Sequence, residues 1–156
     1  MPDNVVCCEF FFKSKTENRA VLFEKAFQRS KYGKVLYILQ EELTELPPIS
    51  EDYTSIDRNY IKMLTFLYLP NMSSLIDGIS TLPNWQNIPS TIILDDIGEY
   101  CNKTQFQNAC GIVALLLDTA YSCSKELKSI CKLYISCTKD TFSDEHCKVL
   151  QELYRL

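Results

Sequence analysis

The residues best suited to chemistry are two carboxylates at the end of a short apolar run. Residues 90–100 read STIILDDIGEY, and a strand ending in Asp is where nucleotide-hydrolysing folds hold magnesium, usually through water. Asp95 and Asp96 are therefore candidate metal-site residues. The matching phosphate loop should lie between the first strand and the first helix. It needs glycines, so that backbone N–H groups can approach the phosphates, a Lys for the outer phosphates, and a Ser or Thr hydroxyl for the metal. The turn at residues 12–19, FKSKTENR, offers Lys15 and Thr16 but no glycine. Lys15 and Thr16 are the candidate nucleotide-binding residues. The competing reading is a polar turn in which Thr16 caps a helix and Glu17 occupies its first turn. For Asp95 the competing reading is a solvated strand end.

Other constellations are less pointed. Eight cysteines include no C-x-x-C pair, and His146 is the sole histidine, too sparse a set for a zinc site. No apolar leader is visible at the N-terminus, so buried, reduced thiols are expected. The sequons at Asn71 and Asn102 are then chance matches. Around residues 109–120, ACGIVALLLDTA, Phe106, Cys110, Val113, Leu117 and Ala120 form one helical stripe. Ile112, Leu115 and Leu116 widen it until most of the helix circumference is apolar, which suits either a central core helix or one shared with a partner. Those three are the candidate partner-binding residues. Lys13, Lys15, Arg19, Lys25, Arg29, Lys31 and Lys34 cluster with aromatics at 10–12, Phe27 and Tyr32. Such a set could meet a phosphate backbone or form the solvated face of a helix.

These groups must be positioned by alternating elements. Strand-like runs occur at 5–12, 34–40, 61–69, 91–95 and 130–137. Helical patterns fill 17–30, 71–82 with Asn71 as cap, 102–128, and 145–156 behind Ser143. Residues 41–59 are the longest irregular stretch. Alternation of this kind predicts a single α/β domain over 1–156 with a mostly parallel sheet covered on both faces. Ligands bind such sheets at the strands' carboxyl ends, where Asp95 falls. The formal charge of -4 argues against a strongly basic nucleic-acid binder acting alone, and no apolar run reaches the ~20 residues that span a bilayer.

The chain resembles a branch of the RecA-like recombinase paralogs, the ATPase-like protein that accompanies a zinc-finger SWIM-domain protein in the animal Shu complex. The likeness rests on RAVLFEKAF at 19–27 with KVLYIL at 34–39, and on the strand at 61–70 with its following helix, which is similar to the family's strand ending in Tyr-Pro. Its most specific part is ILDDIGEY at 93–100 with ALLLDTA at 114–120. The resemblance implies a RecA-like, P-loop-type three-layer fold, minimal or shortened because the chain ends soon after its last helix. No cofactor follows firmly from it; ATP and Mg2+ are the candidates, and Asp95 matches the Walker B aspartate.

It further implies a hetero-oligomer with the SWIM-domain protein, a nuclear role in homologous recombination, and support of recombinase filaments on single-stranded DNA. The Walker A loop departs from the pattern. Phe12 and Glu17 stand where glycines belong, Asn18 where the Lys belongs, and Arg19 in place of the Ser/Thr. Sliding by three residues restores Lys15-Thr16 without supplying a glycine. Side chains there would obstruct the backbone's approach to phosphate, so little or no ATP hydrolysis is expected. Two alternatives stand beside this reading: a divergent ATPase using Lys15, Thr16 and Asp95, and an adaptor of the same fold without nucleotide.

Overall fold

The computed structural model describes residues 6–49 and 53–153. The head of the first expected strand, Val5, and the tail of the last expected helix, residues 154–156, lie outside them. Five strands form: β1 (Cys7–Phe11), β2 (Val35–Leu39), β3 (Leu64–Tyr68), β4 (Thr91–Leu94) and β5 (Lys132–Ser136). They make one sheet in the order β1-β5-β4-β2-β3, and every pairing is parallel. The expected α/β class with a parallel sheet is therefore the class observed.

The order explains the strand compositions. β2 and β4 lie inside the sheet and are buried along their whole length. A strand covered on both faces needs no polar alternation, so VLYIL and TIIL are apolar throughout. Side chains alternate between two cores. Tyr37, Leu39, Ile93 and Tyr134 pack against α1 (Lys15–Ser30) through Leu22, Phe23 and Ala26. Leu36, Ile38, Ile92, Leu94, Leu133 and Ile135 join the opposite core with α3 (Met72–Thr81), α4 (Phe106–Leu127) and α5 (Asp144–Leu153). The result is three layers.

Several local expectations shift. Helix α1 starts at Lys15, two residues early, because Ser14 rather than Thr16 is its cap. The Ser14 hydroxyl accepts from Glu17 N at 3.2 Å and donates to the Glu17 carboxylate at 2.9 Å, a reciprocal capping pair. Thr16 is exposed one residue inside the helix. Among the described residues, the irregular stretch after residue 40 holds a 3-10 turn at Tyr53–Ser55 and one α-helical turn, α2 (Arg58–Ile61), capped by Asp57. Asn71 caps α3 as expected, in a reciprocal box with Ser74.

Helix α4 begins at Phe106, four residues late, because Asn102 and Gln105 turn the chain through side-chain bonds to Thr104 N and Asn102 N. Its core face also sits differently. Ala109, Ile112, Val113, Leu116, Ala120 and Cys123 are buried, whereas Phe106, Cys110 and Leu117 are only partly so. The cause is α3, which packs alongside and covers the flank that sequence alone left open. Among the described residues no helix is long and apolar enough to cross a membrane. All eight cysteines are free; Cys101, Cys123, Cys131 and Cys137 are buried, Cys8, Cys110 and Cys147 partly so, and Cys7 is exposed.

Candidate functional site

From β2 the chain moves outward to β3, and from β4 it moves the other way to β5. The two connections diverge, which leaves a crevice beyond the carboxyl ends of β2 and β4, the usual ligand position in open parallel sheets. A crevice of about 240 Å3 is found there, lined by Lys15, Arg19, Gln40, residues 41–45, Asp95 and Glu99. The first turns of α1 and the end of β4 therefore meet, as a nucleotide site would require.

At its floor is a buried cluster around Asp95, which is 2% exposed. Arg19 Nε donates to Asp95 Oδ2 at 2.7 Å, and the Tyr37 hydroxyl donates to the same oxygen at 2.7 Å. Three elements converge on one carboxylate: α1 supplies the guanidinium, β2 the phenol and the end of β4 the acid. Burial lowers the proton affinity of the Arg19 guanidinium, but the hydrogen bond and charge of Asp95 outweigh it and the net shift is upward. Burial, reinforced by the Asp95 charge, pushes the Tyr37 phenol well above its ordinary range. Arg19 is thus a fixed cation and Tyr37 a fixed donor at neutral pH.

The remaining candidates are also engaged. Lys15 forms an ion pair with Glu99 at the crevice mouth. Asp96 has a left-handed backbone, φ 65°, and its carboxylate accepts from Gly98 N, Thr138 N and the Thr138 hydroxyl at 2.7–3.1 Å. Those bonds cap the turn over Ile97–Glu99 and tie it to the end of β5. Asp96 points its acceptors into its own loop rather than into the crevice.

The loop ahead of α1 is short. Only Phe12, Lys13 and Ser14 separate β1 from α1, whereas a phosphate-cradling loop and its Lys-Ser/Thr need about eight residues. Asn18, buried on the first turn, locks this connection. Its side chain accepts from Lys13 N at 2.9 Å and donates to Lys13 O and Cys137 O at 3.0 and 3.2 Å. The helix N-terminus that would face a phosphate is closed by its own Ser14 and Glu17.

A magnesium ion does not fit these residues. Asp95 Oδ2 already receives two donors, one of them a guanidinium that would have to leave. Among the described residues, no three His, Cys, Asp or Glu side chains gather closely enough to hold a metal. Asp95 Oδ1 is buried without a hydrogen-bond partner, but it lies on a carboxylate whose charge Arg19 already balances. The crevice is also acidic, with Glu41, Glu42, Glu45, Asp95 and Glu99 against Lys15 and Arg19. A polyphosphate there would meet excess negative charge and two cations already committed.

The predicted residues are thus divided. Lys15 and Asp95 share the crevice; Thr16 is exposed outside its lining and Asp96 is spent on the turn. Of the predicted partner residues, Leu116 and Ile112 are core residues at 0% and 3% exposure. Leu115 is half-buried and lines a groove with Met72, Ile76 and Gly111. Sequence reading missed Tyr37, Gln40 and Glu99, and it did not pair Arg19 with Asp95. One signal was available: an arginine stands where the pattern calls for the metal-binding Ser/Thr, which is the position facing the strand-end aspartate. No family model and no curated protein matches the chain.

Proposed function

We propose that this chain is a RecA-like recombinase paralog that works by binding rather than by hydrolysis, as a nuclear subunit paired with a zinc-finger SWIM-domain protein in homologous recombination. The observation carrying the non-catalytic part is the Arg19 guanidinium seated on Asp95. An internal cation occupies the position at which the resemblance calls for a metal, so the crevice is complete without nucleotide. The three-residue β1–α1 connection and the acidic lining support the same reading. The recombination role and the partner rest on the sequence likeness alone, in the segments at 19–27, 34–39, 61–70, 93–100 and 114–120.

Two experiments divide the reading. Titration with Mg-ATP, followed by thermal unfolding, is expected to leave the midpoint unchanged at millimolar nucleotide. Binding at tenfold over the dissociation constant would instead stabilise by about 1.4 kcal/mol, and such a shift would return the divergent ATPase using Lys15 and Asp95. Co-expression with a SWIM-domain zinc protein is expected to give a stable complex. Failure of that complex with the ATP result intact would leave the adaptor of the same fold.

A further inference from the structure

We infer that the crevice beyond β2 and β4 binds an aliphatic polyammonium ion, a linear amine carrying several protonated nitrogens. This deepens the nucleotide-free reading of that site and rests on it, but not on the recombination role. The crevice holds five carboxylates against the two cations Lys15 and Arg19, a net of three negative charges. The whole chain carries -4, so most of its excess charge is gathered around one concavity. Both cations are committed, Lys15 to Glu99 and Arg19 to Asp95. Glu41, Glu42 and Glu45 on the rim are exposed and form no ion pair among the described residues.

The floor supplies a second, independent sign of a missing donor. Asp95 is 2% exposed, and its Oδ2 accepts from Arg19 and Tyr37. Its Oδ1 is the one buried side-chain polar atom without a hydrogen-bond partner among the described residues, a costly state for an acceptor. Gln40 contributes in the same sense. Its Nε2 donates to Pro70 O and Glu99 O at 3.1 and 3.3 Å, which leaves the side-chain carbonyl as an acceptor. Floor and rim thus offer acceptors and negative charge, while the charged donors are paired.

The lining also selects among cations. Among the described residues no three His, Cys, Asp or Glu side chains gather closely enough to hold a metal. Carboxylates spread in this way suit charges spaced along a flexible chain. A protein partner would bring its anchors to an apolar, water-excluded centre, and Leu43 is the single apolar residue of the lining. The volume of about 240 Å3 lies below the range of about 300–1,000 Å3 for drug-sized ligands, which favours a slender amine. One ammonium donates at the floor, beside Asp95 and Gln40, and the others lie along the rim glutamates.

The test titrates the full chain with spermidine by calorimetry and follows the melting midpoint. One spermidine is expected to bind per chain and to raise the midpoint at about 10 mM salt, with weaker binding at about 150 mM. Glu41→Gln with Glu45→Gln is expected to weaken binding roughly tenfold. Asp118→Asn with Glu126→Gln removes the same charge on α4, in the layer across the sheet from α1, and is expected to bind as the parent does. Lys15→Ala frees Glu99 and is expected to tighten binding roughly threefold, a gain that no loss of folding imitates. The inference is overturned if spermidine does not bind, if the two double variants weaken binding alike, or if Lys15→Ala leaves it unchanged. It is equally overturned if magnesium chloride at the same ionic strength competes as well as spermidine, or if a Lys-rich peptide of equal charge binds more tightly. Absence of spermidine binding without a Mg-ATP shift leaves the nucleotide-free reading in place, whereas a Mg-ATP shift overturns both.

Discussion

Arg19 Nε stands 2.7 Å from Asp95 Oδ2, joining the first helix to the end of the central strand β4 through a carboxylate that is 1% exposed. A divalent ion held between a helix hydroxyl and a strand aspartate would tie the same two elements together. Here the cation is covalently part of the chain. Its presence does not depend on nucleotide, and the tie is permanent wherever the protein is folded.

Removing the guanidinium should therefore be costly. Arg19→Ala leaves Asp95 charged, buried and paired only with Tyr37. Breaking a buried pair this way costs about 3–5 kcal/mol. Arg19 is 24% exposed, so solvent screening reduces the expectation to about 2–3 kcal/mol. The double variant Arg19→Met, Asp95→Asn should cost less than the sum of its singles, because no charge is left stranded. Urea denaturation of the four species measures the coupling. Strict additivity would mean that the contact contributes nothing to the fold.

Tyr37 should behave as a donor more than as a filler. Tyr37→Phe keeps a ring packed against Phe23 and Phe66, whose centres lie 5.0 and 5.4 Å away. It deletes the bond to Asp95. A hydrogen bond to a charged group contributes about 1.5–3 kcal/mol, and a loss in that range at neutral pH is expected. A loss as large as that of Tyr37→Ala would assign its value to packing instead.

Much of this architecture was legible in sequence, for physical reasons that differ by element. VLYIL and TIIL announce buried parallel strands because only strands covered on both faces tolerate unbroken apolar runs, and Asn71 announces a helix start because a short amide accepts from Ser74 N. What escaped was set by contacts distant in sequence. Whether Ser14 or Thr16 caps α1 depends on where β1 stops pairing with β5. Ile112 and Leu116 look free on a helical wheel until α3 lies beside them. Tyr37 reads as an ordinary strand aromatic, and only the parallel register of β2 on β4, Tyr37 beside Ile93, brings its hydroxyl to Asp95.

Lys15 should matter far less than Arg19, and the comparison separates the two cations of the crevice. Its pair with Glu99 is exposed, at 44% and 35% for the two side chains. Such pairs contribute about 0–1 kcal/mol. Lys15→Ala is thus expected to change stability by under about 1 kcal/mol, as read by chemical denaturation. A loss matching that of Arg19→Ala would show that the mouth of the crevice, not its floor, holds the elements together.

Asp96 should tolerate Asn better than Ala. Its backbone is left-handed at φ 65°, a region that Asn enters more readily than Ala. Its carboxylate also takes three donors from Gly98 and Thr138. Asn retains one acceptor oxygen and the backbone tolerance. Asp96→Ala is expected to cost about 2–3 kcal/mol and Asp96→Asn about half as much. Equal losses would assign the position to charge alone.

Alkaline pH should destabilise the protein, and the cysteines set where it begins. Burial raises the Cys101 and Cys123 thiols to about 11, and Cys131 and Cys137 to about 12, from an ordinary 9.0. Below about pH 8 these thiols are protonated in both folded and unfolded chains, so they contribute no pH dependence. Above pH 9 the unfolded chain releases its thiol protons while the folded chain retains them. The unfolded state then binds fewer protons, and stability falls as pH rises, by up to about 1.4 kcal/mol per pH unit for each thiol. The Tyr37 phenol, also raised, adds to the slope above pH 10. Melting temperature is therefore expected to be level from pH 7 to about 8.5 and to fall steeply beyond it. Replacing Cys131 with Ala should lower the midpoint at pH 7 through the lost packing, and should make the alkaline decline shallower. A decline unchanged in steepness would show that Cys131 titrates in the folded chain as it does in the unfolded one.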